Sequence, residues 1–434
     1  MKNEADKKGN VFFSRNFRLV FLGALVSELG ALLYNFAVSF YILEISSNNA
    51  FLQGLYLALC GAAMLIFTPV GGVMGDRFNK AKIMYLCDYL KGGMILLATA
   101  LMLLFREPEA HLAILFVLGI LGNVVSGIFV PASGALLPDI VSEEKLQQAN
   151  AYFSIKSSLE GILGIILAGI LYASLPVHVL FFFVGACFVA SGVSEMMIRY
   201  DHQPSPERLT LKLAFRDMKE GIGYVRSKKA ILMLLVMILF INFFFAPVTG
   251  NFLPFFVKTD LAGAPSYLMD GILTPELWSS VFSVCFGVSS LAGAAILSTR
   301  AQEERWGRKI SLRIGAMAGL MIGLTVGYGI LVGRGVSLNW FLILFCLGCL
   351  AVGVLISYIN IPASTALMRI VEKDKLSKVS SIISIGSQGM IPLASVLAGL
   401  ILETMGSTWL LAFCSLGFAI TAVLLLMSKS VREL

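Results

Sequence analysis

The sequence predicts an all-α integral membrane protein: twelve transmembrane helices in two pseudo-symmetric six-helix halves. Composition is the first reason. Of 434 residues, 58% are hydrophobic and only 14% charged, against about 25% charged in ordinary soluble domains. The second is a set of predominantly apolar runs, each long enough to cross a hydrocarbon core of about 30 Å. The third is an internal echo. Asp76-Arg77-Phe78-Asn79-Lys80 returns as Glu304-Arg305-Trp306-Gly307-Arg308, Pro131-Ala132-Ser133-Gly134-Ala135-Leu136 as Pro362-Ala363-Ser364-Thr365-Ala366-Leu367, and Ile140-Val141 as Ile370-Val371. All three recur at an offset of about 230 positions, which reads as a parallel duplication of one half.

In order, the apolar runs cover 17–45, 50–74, 82–105, 112–138, 150–173 and 176–198, then 231–257, 276–299, 310–333, 338–368, 379–402 and 407–428. The halves are therefore expected at 1–198 and 231–434, joined by a linker at 199–230. Within that linker Leu211, Phe215, Met218 and Ile222 recur at helical spacing among Arg216, Lys219 and Arg226. Such a stretch suits a helix lying in the membrane interface, or a solvated linker with some helicity. Gly315, Gly319, Gly323 and Gly327 give the ninth span a smooth face for helix packing.

Short loops rich in Lys and Arg stay in the cytoplasm. Of the 33 basic residues, 28 fall on the side of both termini, Lys91 and Lys156 lie inside spans, and only Arg106, Lys258 and Arg334 fall on the other side. Both termini are expected in the cytoplasm of a bacterial cell, with the chain crossing its plasma membrane many times. The net charge of +7 then reflects loop asymmetry, not nucleic-acid binding. The polar first residues and the length of the first apolar run speak against a cleavable signal peptide. Seven cysteines, all within apolar runs, and three scattered histidines suggest no metal site, although Cys346 and Cys349 have redox-motif spacing. No phosphate-binding or dinucleotide loop is present, so no cofactor is expected. No nucleophile, base and orienting group converge in a readable motif, so an enzyme is not expected either.

Gly72-Val73-Met74-Gly75-Asp76-Arg77-Phe78-Asn79-Lys80, in the loop after the second span, resembles the loop motif of the major facilitator superfamily: Gly, three residues, Asp-Arg, one residue, Gly-Arg. Glu304, Arg305 and Arg308 form its second-half copy. A carboxylate at a helix end beside several cations makes a breakable gate whose pairing can differ between two states. Within that superfamily, Pro131-Ala132-Ser133, Pro138-Asp139-Ile140-Val141, Glu143 to Asn150 and Phe215 to Gly221 are similar to bacterial drug exporters, including macrolide efflux proteins, and more distantly to siderophore exporters. Two positions depart from proton-coupled exporters: Gly122 stands where many carry Arg, and Ile165 where the antiporter motif has Pro.

Acids inside a span cost about 2.5 to 3.5 kcal/mol on insertion scales and ask for a reason. Glu28 lies about 11 residues into the first span, roughly 16 Å along it and so near mid-membrane. Tyr34 and Asn35 follow it, Asn35 on the same helical face. The resemblance implies that the first, fourth, seventh and tenth spans line a central cavity, which places Asn123, Asn242, Asn251, Tyr358 and Asn360 beside Glu28. Glu160 lies deep in the fifth span with Lys156 one turn earlier, a spacing that allows a structural bridge or a coupling element. Asp88 and Lys91 in the third span read as a structural charge pair. Acids on one wall and aromatics such as Phe243, Phe244 and Phe245 on another suit a bulky, amphipathic solute.

The expectation is a secondary transporter that exports an amphipathic or hydrophobic, drug-like compound by alternating access, with a proton as coupling ion and a monomer as a plausible state. Alternatives on the same fold are a lysolipid or lipid flippase and a siderophore exporter.

Overall fold

A computed structural model describes residues 11–199, 211–261, 274–298, 306–331, 338–372 and 375–428. Among the described residues there are helices and turns and no strand. In hydrocarbon every backbone N–H and C=O must bond internally, which leaves the helix as the local solution for apolar runs of this length.

The chain runs through α1 (Arg15–Ile45), α2 (Ala50–Arg77), α3 (Lys80–Leu104), α4 (Pro108–Ile140), α5 (Glu143–Leu159), α6 (Ile165–Ser174), α7 (Val177–Met196), α8 (Leu211–Ser227), α9 (Lys229–Pro247), α10 (Leu253–Thr259), α11 (Pro275–Ser298), α12 (Trp306–Leu331), α13 (Leu338–Ile370), α14 (Leu376–Met405) and α15 (Ser407–Met427). Twelve of the described segments are long and apolar enough to cross a membrane, as the sequence predicts. Two depart from simple α-helices. The fifth span passes from α5 to α6 through a π-turn at Glu160–Gly164, and the seventh from α9 to α10 through another at Val248–Phe252. Each is a wide turn that slips the i→i−4 ladder, a feature frequent at functional sites.

Local chemistry sets the helix ends. Asn79 caps α3, its side chain accepting from the Lys82 N–H at 3.1 Å. Pro108 opens α4, where its missing N–H costs nothing. At the α14–α15 corner Gly406 has φ of 85° and donates its N–H to Ile401 and Leu402, a left-handed conformation that suits glycine.

The helices gather into two compact units: Met1–Tyr41 with Ala62–Ala214, and Ile42–Gly61 with Phe215–Leu434. In the first, α3 packs on α7 and α4, with Val20, Met84, Ala132 and Leu136 in its core. The second is built from α11 on α13, α12 on α15 and α9 on α14. Phe252, Phe256, Tyr328, Phe341 and Phe345 form an aromatic cluster there, with rings 5.2 to 6.3 Å apart. Phe244 and Phe245 pair with Phe413 and Phe286 in the same unit at 5.4 and 5.7 Å. Of the glycine stripe on α12, Gly319 and Gly323 face open space, whereas a Cβ at Gly327 would meet Leu344. Val225 of α8 is buried against Ile231, Leu367 and Val379, which anchors the end of that helix to the second unit.

One close crossing sets the α2–α4 spacing in the first unit. A Cβ at Gly127 would lie 2.5 Å from the Met64 carbonyl oxygen, and one at Gly71 would lie 2.6 Å from that of Gly127. Both obstacles are backbone, so a methyl must push α2 from α4. Gly127→Ala is expected to destabilise by about 1–3 kcal/mol, whereas Gly93→Ala, which meets nothing within 4 Å, leaves stability unchanged or slightly raised. Thermal melting of the purified protein in detergent checks both.

Just beyond α10, Asp260 receives hydrogen bonds from the Tyr328 hydroxyl at 2.6 Å and the Ser407 hydroxyl at 3.2 Å. Burial pushes its carboxyl above the ordinary value, against the pull of these bonds. A carboxyl raised on folding binds protons more readily in the folded chain. Its contribution is therefore full below the unfolded value and lost as pH rises through the folded one. Melting temperature should fall over that rise in wild type, and Asp260→Asn should flatten this part of the profile.

Candidate functional site

Lys156 organises the first unit's interior. Its ammonium lies 2.5 Å from Glu28 Oε1 and 3.8 Å from Glu160 Oε1, and 5.1 Å from the centre of the Phe153 ring. The lysine side chain is 1% exposed and that of Glu160 8%, but Glu28 is 49% exposed. Glu160 opens the π-turn of the fifth span, and its Oε1 has no hydrogen-bond partner. One cation thus faces two acids, one buried and one open. With both ionised the group carries an uncompensated negative charge, which a single proton cancels.

The open side of Glu28 faces a cavity of about 300 Å³ inside the first unit, lined also by Tyr34, Asn35, Asp88, Lys91 and Asn123. Gly122 lies on its wall with nothing within 4 Å of its Cβ position, so the place of the exporters' Arg is empty space. Asn123 donates to Gly119 of its own helix at 2.9 Å, and the Tyr34 ring rests 5.3 Å from that of Phe181. The Lys91 ammonium sits 4.8 Å from the Phe188 ring centre. Among the described residues no ion pair within 4.0 Å joins it to Asp88.

The second unit holds the other polar residues apart from one another. Asn242 donates to Ile238 of its own helix at 2.9 Å. Asn251 lies in the seventh-span π-turn, fully buried, donating to the Ser395 carbonyl at 3.4 Å with its own Oδ1 unpartnered. The Tyr358 carbonyl accepts from Arg313 at 2.8 Å, and the Tyr358 ring stacks on the same guanidinium at 5.2 Å. Asn360 is exposed.

Of the gate motif, Glu304 and Arg305 lie outside the described residues, as does the side chain of Asp76. A Cβ at Gly72 would meet nothing within 4 Å, and Arg77 and Arg308 are exposed. Lys80 bonds Asp139 at the end of α4 at 2.6 Å, which ties the loop motif to the Pro138-Asp139 segment. Sequence reasoning did not join these two, since the contact spans α3 and α4. It also passed over Arg313 and Glu195, both of which the cost of burying charge inside an apolar run would have flagged.

The sequence pattern of the Major Facilitator Superfamily matches residues 20–395, and the chain belongs to that family of membrane transporters. It is 24% identical over 381 residues to the uncharacterized MFS-type transporter YkuC of Bacillus subtilis (strain 168), covering 86% of this chain and 82% of that one. It is 33% identical over 159 residues to the enterobactin exporter EntS of Salmonella paratyphi A, a match spanning 36% of this chain and 37% of the exporter. Among solved structures, a bacterial homologue of the iron transporter ferroportin in an inward-facing state superposes with a TM-score of 0.74 at 16% identity, over 95% of this chain and 98% of that one. The nucleoside transporter NupG gives 0.69 at 14% identity, over 95% and 100%. At these identities the structures speak for the fold alone.

Removing the cation should expose the logic of the site. Lys156→Met leaves two carboxyls without a counter-charge, and a loss of about 1–3 kcal/mol is expected, less than for a fully buried pair because Glu28 is half open. Lys156→Met/Glu28→Gln should recover part of that loss. A double-mutant cycle in detergent melts measures it.

Proposed function

We propose that the chain exports an amphipathic, drug-like compound from a bacterial cell by alternating access, driven by protons. Both termini are cytoplasmic in this reading, and the moving bodies are the halves 1–198 and 231–434. The observation that carries it is the Glu28–Lys156–Glu160 group: one buried ammonium between two acids, at a π-turn, with Glu28 open to the cavity. Such a group holds one proton when its charge must balance in a low dielectric and gives it up when water enters. The cavity supplies apolar walls (Met64, Met94, Phe129, Phe188) beside Tyr34, Asn35 and Asn123, a mixture that suits a solute with one apolar face and one polar or cationic group.

Energised efflux of a panel of fluorescent amphiphiles tests the reading. Wild-type cells should lower dye accumulation, a protonophore should abolish the effect, and Glu28→Gln should reduce it at least tenfold. Efflux indifferent to protonophore and substitution would sink the proton reading and move the weight to lipid or uncoupled transport.

One observation favours a second solute, the 159-residue match to enterobactin exporters. On that reading the exported compound is a siderophore, and its secretion by iron-starved cells, measured with and without the gene, separates the two.

A further inference from the structure

Two more acids are enclosed in the first unit, away from Lys156. Glu195, the last residue but one of α7, is fully buried, and neither of its carboxyl oxygens has a hydrogen-bond partner. Asp88 of α3 is 1% exposed, with its Oδ2 unpartnered.

The enclosure is made by three helices. A Cβ at Gly23 of α1 would lie 3.3 Å from Glu195 Cγ. The α1–α7 seam is closed by Ser191 Oγ on the Gly23 carbonyl at 2.9 Å, Ser194 Oγ on that of Leu19 at 2.9 Å, and Asn16 Nδ2 on that of Arg199 at 2.6 Å. From the other side α3 approaches at Gly92, where a Cβ would meet the Gly185 carbonyl at 3.0 Å. The groups facing the two acids are Cys87 and Lys91 of α3, Ser191 of α7, and the Gly23 backbone of α1. The Asp88 charge acts on Glu195, which puts the two acids within electrostatic reach across the α3–α7 contact.

We propose that Asp88, Glu195 and Lys91 form a second proton-accepting station, which passes a proton between the α1–α7 seam and the cavity that Glu28 shares. The station has the same composition as the first, two carboxyls and one ammonium. Two ionised carboxyls beside one ammonium leave an uncompensated charge that is not sustained in so dry a place, so one proton must reside there. The Ser191 hydroxyl gives its hydrogen to the Gly23 carbonyl. Asp88 and Lys91 both line the cavity, whereas Glu195 lies behind them at the end of α7. Asp88 is about eight residues into α3, roughly 12 Å along it, so the acids are stepped in depth. When the two side chains come within hydrogen-bond reach, transfer to an ionised Asp88 breaks the O–H bond at Glu195 and forms one at Asp88; one proton and one negative charge are kept throughout, and Lys91 on the cavity side offsets that charge. The inference deepens the proton reading above and rests on it only for the use to which the proton is put.

Infrared difference spectra of the full-length protein in nanodiscs, between mildly acidic and mildly alkaline buffer, read the carbonyl stretch of protonated carboxyls directly. Wild type should show a protonated-carboxyl band in an apolar environment that disappears on the alkaline side. Glu195→Gln and Asp88→Asn should each remove part of it, Glu28→Gln should not remove that part, and Lys91→Met should keep it to higher pH. Substitution in a packed seam can unfold the chain. Glu28→Gln/Glu160→Gln protein grown on carboxyl-labelled glutamate therefore gives a second measurement: a pH-dependent Glu band must remain and shift with the label. The proposal is overturned if both station variants fold and keep every pH-dependent band, or if the labelled protein shows no such Glu band. No solute enters this experiment, so a failed efflux panel beside a positive spectrum would remove the proposed solute and leave the station standing.

Discussion

An ammonium group deep in a membrane protein costs least where carboxylates answer it, and Lys156 is answered twice. At 1% exposure it cannot reach water, so its position dictates where Glu28 and Glu160 must be. Glu28 comes from α1 and Glu160 from the wide turn of the fifth span, so the ion group ties those two spans together inside the first unit. The half-open face of Glu28 then follows: one oxygen is held by Lys156, and the rest of the carboxyl borders the cavity with Asn35 and Asn123.

The surrounding packing gives this arrangement rigid walls. Gly71 and Gly127 let α2 and α4 touch backbone to backbone, and Gly92 and Gly185 do the same for α3 and α7. Close crossings maximise dispersion contact where no hydrophobic force drives helices together in lipid. They also leave little slack, so a change of charge in the cavity is met by whole helices. Lys80 on Asp139 extends the same frame to the ends of α3 and α4. The matching second-half positions, Arg308 and Arg369, are both basic, so this tie belongs to one half of the duplication.

The spans were legible in the sequence because the membrane makes the problem local: length and apolarity of one segment decide whether it crosses. The costly residues were legible for the same reason, Glu28, Lys156, Glu160, Asp88 and Lys91 among them. Their partners were not. Spacing along one helix suggests Lys156 with Glu160, yet the shorter bond runs to Glu28, more than a hundred positions away. Asp88 and Lys91 sit at pairing distance in sequence, but among the described residues no ion pair within 4.0 Å joins them, and the Lys91 ammonium rests over the Phe188 ring. In the second half, Asn242 donates to its own backbone, which a polar residue in an apolar run does not announce. The π-turns left no sequence signal beyond Gly161 and Gly164 in one and Pro247 with Gly250 in the other.

A wide turn within a helix is a phase shift. One added residue rotates everything beyond it by about 100° around the axis relative to an uninterrupted helix. In the fifth span, the face presented by Leu167 to Tyr172 is therefore set independently of the face that carries Lys156, although both belong to one rod. Evolution could thus revise the outer part of that span by point substitution while the charged inner part stayed fixed. Deletion of a single residue near Gly161 would do what no substitution can: it would turn one surface of the rod past the other without altering a side chain on either.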